Sequence, residues 1–234
     1  MLSMDKVFLK IGHNTSRIHM EDLVLFWGWT RDDNSYKGLT DLAPKGWRIY
    51  DLNLEELAQK GFISTLSENI TKFLDEKKLK RVSLVGHSMG GALALQYAYH
   101  NPERVKKLFL LDSSGIYGHE KIPQLIKNFI LSQTILNRKK APENLRVFYR
   151  IFRKPFVYIK LANYAHKVDL QKEARDIRVP TVIMWGEKDK LIPLWQGQKL
   201  HKLIKNSKFI VLPNVGHDWP LYKPELFWES IKNG

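Results

Sequence analysis

A serine within a short glycine-rich segment is the strongest chemical signal in this sequence of 234 residues. The segment GHSMGG, residues 86–91, follows the apolar run 81–85 and precedes an alanine-rich apolar run. A serine on a sharp turn from strand to helix adopts strained backbone angles, and small residues two positions before and after it relieve the contacts that result. Gly86 and Gly90 occupy those positions. The pattern therefore predicts that Ser88 is a catalytic nucleophile at the end of a strand.

Two later segments supply a candidate base and candidate acids for this serine. A serine hydroxyl is a weak nucleophile at neutral pH, so it needs a general base, and the base needs an orienting carboxylate. Glu187 and Asp189 follow the apolar run 179–185, and His217 follows the run 208–212. Of the eight histidines, His217 alone has this placement. We therefore expect His217 to be the base, with its acid on the loop that holds Glu187 and Asp189.

Apolar runs of strand length alternate with segments of helical period along most of the chain. The predicted strands are Val7–Ile11, Leu23–Trp27, Trp47–Leu52, Arg81–Gly86, Val105–Asp112, Val179–Trp185 and Lys208–Leu212. The predicted helices are Leu66–Leu79, a segment from about Ser88 to Asn101, Trp195–Ile204 and Pro224–Ile231. Because parallel neighbours need crossover connections, the order predicts the α/β class, with a mostly parallel, doubly wound sheet and helices on both faces. Active sites of such sheets lie beyond the carboxyl ends of the strands.

One stretch departs from this alternation. Residues 116–174 contain helix-like apolar patterns without a strong strand, which indicates a small helical cap inserted between two strands. The α/β core is then formed by residues 1–115 and 175–234. No internal repeat or linker divides the chain, so we expect a single folding unit.

These motifs together resemble the α/β-hydrolase superfamily, specifically its small cap-bearing esterase and lactonase-like branch. The resemblance extends from about Leu23 to the end of the chain, and three motifs agree in order and spacing. The family pattern W-G-x-x-D-x-x-x-P implies that the acid is Asp189, and the family G-H pattern implies that the base is His217. Glu187 and Asp112, which ends an earlier strand, stay as weaker candidate acids.

The resemblance also implies an oxyanion hole and a substrate pocket. The backbone amides of Met89 and Trp29 are the implied oxyanion donors. The family's usual His-Gly is replaced here by Trp27-Gly28. Substrate-binding residues are expected to be those that flank the motifs: Trp27, Gly28, His87 and Trp219.

Composition restricts cofactors and partners. The chain has no cysteine, which excludes disulfides and thiolate metal sites, and it lacks the common zinc and nucleotide motifs, so no metal and no cofactor are expected. The formal net charge is +14, and much of the excess lies between Lys121 and Lys172. This basic stretch has two interpretations: it attracts an anionic substrate, nucleic acid or lipid surface, or it is a solvated face that keeps the protein in solution. We expect no nucleic-acid partner, and weak membrane-surface association is compatible with the charge.

The preferred function is a serine carboxylesterase that acts on small to medium esters. A lactonase, a lipase or a carbon–carbon bond hydrolase would use the same residues, and a non-catalytic protein that binds a small ligand is the alternative from another class. Dehalogenases and epoxide hydrolases need a carboxylate where Ser88 stands. The sequence shows no secretory signal and no membrane-spanning run, so a cytoplasmic location is expected.

Overall fold

Six parallel strands form the centre of the protein in a computed structural model that describes residues 20–28, 33–52, 57, 65–117, 146 and 149–232. The strands are β1 (Glu21–Phe26), β2 (Trp47–Leu52), β3 (Val82–His87), β4 (Val105–Leu111), β5 (Thr181–Gly186) and β6 (Ser207–Leu212). They lie in the order β2-β1-β3-β4-β5-β6, and every neighbouring pair is parallel. The predicted parallel α/β sheet is therefore confirmed. The predicted strand Val7–Ile11 lies outside the described residues.

Helices connect the strands. They are α1 (Lys37–Asp41), α2 (Leu66–Glu76), α3 (Met89–His100), α4 (Pro155–Lys167), α5 (Gln171–Asp176), α6 (Leu194–Leu203), α7 (Trp219–Tyr222) and α8 (Glu225–Lys232). Short 3-10 turns lie at Asp33–Tyr36 and Pro102–Arg104. α2 shows the pattern that made its prediction possible, because Leu66, Ile70 and Leu74 repeat every four residues and are all buried.

Two strands are covered on both faces. Every residue of β3 and of β5 is buried, so their side chains pack above and below the sheet. This explains why the sequences VSLVGH and TVIMWG lack the alternation of apolar and polar residues that a half-exposed strand would show. β3 lies between β1 and β4, and its carboxyl end leads directly into Ser88. The nucleophile candidate is thus placed at the middle of the sheet edge.

Part of the predicted cap region 116–174 belongs to the described residues. A helical turn at 149–153 ends at Lys154, and α4 then begins at Pro155, where the missing N–H of proline costs no helical hydrogen bond. α5 follows at 171–176. The division into a cap and a two-part core stays a prediction, because residues 118–145 lie outside the described part. Within the described ranges, no helix is both long and apolar enough to cross a bilayer.

Candidate active site

The backbone of Ser88 is strained as the sequence motif predicts. Its φ of 57° and ψ of −124° lie in a region that residues with a side chain rarely adopt. The surrounding chain holds this conformation: the Ser88 amide donates to the carbonyl of Leu111 at 3.0 Å, and its own carbonyl accepts from the amides of Gly91 and Ser114. Because these bonds fix the turn, the hydroxyl projects at the junction of β3 and α3.

Three side chains predicted from separate segments meet at this junction. Nε2 of His217 lies 3.0 Å from Oγ of Ser88, and Nδ1 of His217 lies 2.7 Å from Oδ2 of Asp189. An ionised carboxylate can only accept, so Nδ1 carries the ring proton and Nε2 presents a lone pair to the serine hydroxyl. All three residues are buried. The geometry is that of a nucleophile, a general base and an orienting acid.

The two weaker candidate acids occupy different places. Glu187 lies at the surface, where its Oε2 accepts from the backbone amide of Asn214 at 2.9 Å. Asp112 is completely buried close to the site, but its Oδ1 accepts from the amide of Gly186 at 2.8 Å. Among the three carboxylates, Asp189 is the one hydrogen-bonded to the imidazole of His217.

Asp112 and Asp189 differ in the number of donors around them. Asp189 accepts from His217 and, through Oδ1, from the amides of Leu191 and Ile192 at 2.8 and 2.9 Å. Oδ2 of Asp112 is buried without a hydrogen-bond partner among the described residues. Burial, and next the nearby charge of Asp189, raise the pKa of Asp112 well above its ordinary value. The environment of Asp112 therefore favours its protonated form, while the three donors around Asp189 can stabilise a carboxylate beside His217.

The raised pKa of Asp112 predicts an unusual pH dependence of stability. As pH rises above the ordinary aspartate pKa, the unfolded chain releases the Asp112 proton while the folded protein keeps it. The free energy of unfolding therefore falls with rising pH, until the raised pKa of Asp112 in the folded protein is reached. Asp112→Asn has the same shape and no proton to lose. We expect the variant to gain stability relative to the unsubstituted protein as pH rises from about 5 to about 8, by about 1.4 kcal/mol for each pH unit over which the folded protein keeps a proton that the unfolded chain has released.

Denaturant unfolding of both proteins at the two pH values measures this difference. Asp41→Asn, at an exposed site on α1, is the matched control and should show no comparable pH-dependent gain. An equal stability difference at both pH values would mean that Asp112 is ionised in the folded protein.

His87 and Gly28 belong to a chain of hydrogen bonds behind the site. The amide of Gly28 donates to the hydroxyl oxygen of Tyr36 at 3.1 Å, and this hydroxyl contacts Nδ1 of His87. Nε2 of His87 lies 3.0 Å from the carbonyl oxygen of His217. Since a carbonyl only accepts, Nε2 of His87 carries a proton and donates it to this bond. The chain joins the loop after β1 to the loop that carries His217.

This network was not found by sequence reasoning. His87 was expected to bind substrate, yet it is 2% exposed and both its ring nitrogens contact protein groups. Trp27 is buried and stacks on Tyr36 with ring centroids 4.0 Å apart. Trp219 is also buried. Their substrate contacts stay predictions, while the structure gives His87 and Trp27 a clear part in holding the loops.

The predicted oxyanion donors are placed only in part. Met89 is the first residue of α3, and helix geometry leaves the amides of the first turn without an intrahelical acceptor. Trp29 lies outside the described residues. Its neighbour Gly28 adjoins the nucleophile, since a Cβ atom added at Gly28 would lie 3.4 Å from Cβ of Ser88. The loop after β1 therefore reaches the serine side chain.

One cluster in the described part of the chain has donors of the kind that could hold a metal. It consists of Asp112, Asp189 and His217, whose candidate ligand atoms lie within 4.8 Å of one another. The two atoms closest together, Nδ1 of His217 and Oδ2 of Asp189, are already joined by a hydrogen bond. The raised pKa of Asp112 moreover disfavours the ionised form that a metal ligand needs. The donor set thus fits a proton-transfer site better than a metal centre.

Comparisons with known proteins agree with the fold. Over 241 aligned residues the chain is 27% identical to the uncharacterized hydrolase YugF of Bacillus subtilis, covering 90% of this chain and 88% of YugF. It is 30% identical to a 2-hydroxy-6-oxo-2,4-heptadienoate hydrolase of Pseudomonas putida, over 64% of this chain and 61% of that protein. The crystal structure of a lipase-esterase related protein from Clostridium acetobutylicum superposes with a TM-score of 0.74 at 18% identity, over 91% and 93% of the two chains.

A family model decides the assignment. The model of the alpha/beta hydrolase family matches residues 26–229, which include the last residue of β1, all of β2 to β6 and all three residues of the Ser88–His217–Asp189 cluster. The chain therefore belongs to the alpha/beta hydrolase family.

Proposed function

We propose that this protein is a serine carboxylesterase that hydrolyses small to medium carboxylic esters through an acyl-enzyme. The observation that carries the proposal is the continuous hydrogen-bonded series from Oγ of Ser88 through His217 to Asp189. In such a series the base lies within reach of the proton that it must remove. Hydrolase chemistry follows from the family, and the ester specificity is our inference.

The first half-reaction acylates the serine. Oγ of Ser88 attacks the ester carbonyl carbon while Nε2 of His217 takes the hydroxyl proton. The ionised Asp189 stabilises the imidazolium that forms, because it already accepts the Nδ1 proton. The amides of Met89 and Trp29 donate to the oxyanion, and His217 then returns the proton to the departing alcohol. In the second half-reaction water attacks the acyl-enzyme by the same route and releases the carboxylic acid.

A carbon–carbon bond hydrolase is the second candidate. It is favoured by the likeness to the Pseudomonas putida hydrolase, whose name gives a 2-hydroxy-6-oxo dienoate as its substrate. Such a substrate carries a carboxylate, for which the basic chain offers an attractive field. The ester reaction needs no step beyond acyl transfer, and we therefore place it first.

Rates on two substrate sets distinguish these candidates. The first set is p-nitrophenyl esters from acetate to palmitate. The second is 2-hydroxy-6-oxo-hepta-2,4-dienoate, whose consumption is measured by its absorbance. We expect the highest kcat/KM on a short or medium ester. A preference of at least about tenfold for the dienoate would instead establish the carbon–carbon candidate, and an optimum at palmitate would indicate a lipase.

Labelling tests whether either reaction can occur. A fluorophosphonate should add one mass label at Ser88, and the label should prevent turnover of the ester. A protein that neither takes the label nor turns over any substrate would support the ligand-binding alternative instead.

A further inference from the structure

Four large apolar side chains are exposed along one helical stretch of the predicted cap. Tyr149, Phe152, Phe156 and Ile159 are 61%, 84%, 85% and 64% exposed. Their spacings of three, four and three residues place them along one side of the stretch, across the break at Lys154. The opposite side of α4 is buried, since Tyr158, Leu161 and Tyr164 face the protein. The exposed side chains therefore form an apolar row that the fold leaves in water.

The same stretch is strongly basic. Residues 146–168 contain no aspartate or glutamate and six lysines and arginines: Arg146, Arg150, Arg153, Lys154, Lys160 and Lys167. The two chemistries share one surface, because the guanidinium of Arg153 lies 5.8 Å from the ring centroid of Tyr149. Lys160 is exposed directly after Ile159. Exposed rings are thus accompanied by positive charge, with no nearby acidic residue of the stretch to offset it.

We propose that this aromatic-basic surface, formed by Tyr149, Phe152, Arg153, Phe156, Ile159 and Lys160, docks the protein onto anionic lipid bilayers. A helix with apolar side chains on its outer face and lysine or arginine beside them inserts its rings among the acyl chains while its cations meet the headgroups. The charge complementarity favours an anionic membrane over a neutral one. A nucleic acid is a poorer fit, since single strands bind in grooves and this surface is a convex helix with an aliphatic side chain beside its rings.

Vesicle co-sedimentation tests the docking directly. The full chain is mixed with vesicles of phosphatidylcholine alone, or of phosphatidylcholine with about one third phosphatidylglycerol, and the bound fraction is measured against lipid concentration. We expect binding to the anionic vesicles and at least about tenfold weaker binding to the neutral ones. The measurement does not depend on catalysis, so it is repeated with Ser88→Ala, which should bind equally well whether or not the proposed esterase activity is correct.

Two double variants separate the apolar from the charged contribution. Phe152→Ser/Phe156→Ser should weaken binding to anionic vesicles by at least about tenfold. Arg153→Gln/Lys160→Gln should weaken it by about twenty-fivefold, at about fivefold for each cation. The controls are Leu42→Ser, an exposed apolar residue elsewhere, and Lys205→Gln/Lys208→Gln, which removes the same charge from the far end of the sheet. Circular dichroism and thermal melting establish that each variant is folded.

Three results would overturn the proposal. Equal losses from Arg153→Gln/Lys160→Gln and from Lys205→Gln/Lys208→Gln would show that only net charge matters. If the protein bound DNA but not vesicles, and Phe152→Ser/Phe156→Ser weakened the DNA binding, the surface would be a nucleic-acid site. A dimer in light scattering that these variants dissociate, again without vesicle binding, would make it an interface between copies of this chain.

Discussion

Replacing Ser88 with alanine is expected to lower kcat/KM for ester hydrolysis by at least about a thousandfold and to abolish fluorophosphonate labelling. The hydroxyl is the atom that His217 faces at 3.0 Å, and an alanine leaves the base with no nucleophile to activate. The fold should persist, because the strained turn is held by backbone hydrogen bonds that alanine retains. Steady-state rates on the preferred ester, with a thermal melt of each protein, measure both effects.

Ser114→Ala is the matched control for this prediction. Ser114 is a buried serine in the loop after β4, and its backbone, rather than its side chain, bonds to Ser88. We expect its activity to stay within a few-fold of the unsubstituted protein. If Ser88→Ala kept most of the ester hydrolysis, the reaction would take place elsewhere on the protein, and the proposed mechanism would be wrong.

Gly90→Ala should act mainly by lowering the stability of the fold. A Cβ atom at this position would lie 2.1 Å from the carbonyl oxygen of Phe26 and 2.5 Å from that of Trp27. Both are backbone atoms of the β1 segment, so no side-chain rotation relieves the overlap, and α3 would have to move away from the sheet. Overpacking in a core costs typically 1–3 kcal/mol, and we expect about 3 kcal/mol or more here.

Gly216→Ala provides the comparison. The nearest atom to a Cβ at Gly216 is the carbonyl oxygen of Lys188 at 3.5 Å, an ordinary contact. Denaturant unfolding should therefore show a loss of stability at Gly90 several times larger than at Gly216. A Gly90→Ala protein with unchanged stability would mean that α3 starts farther from β1 than the structure places it.

The elements that sequence reasoning located well are those with long, strong patterns. β3 and β5 are uninterrupted apolar runs, and α2 repeats its buried residues every four positions. The three short helices α1, α5 and α7 were not predicted separately. With five, six and four residues, they contain too few turns for a period to be visible.

The candidate site was predictable where chemistry is tied to a local motif. Ser88 and His217 each follow a strand, and the resemblance then chose Asp189 over Glu187. The raised pKa of Asp112 and the bonds of His87 depend on residues far away in sequence, Asp189 and Tyr36 among them. No spacing rule connects such residues, because only the folded chain brings them together. The exposure of Phe152 and Phe156 was not predicted either, because an aromatic residue in a helical pattern is usually packed inside.

The parallel pairing of the six described strands has a kinetic consequence. Parallel neighbours cannot form from a hairpin, so each pair among these strands must wait for a crossover segment to close. The contact between Ser88 and His217 joins residues 129 positions apart, and that between His87 and His217 spans 130. Such distant contacts slow folding and form late. During refolding, recovery of enzymatic activity should therefore lag behind the return of helical structure. The rate at which activity returns then measures the final steps of folding.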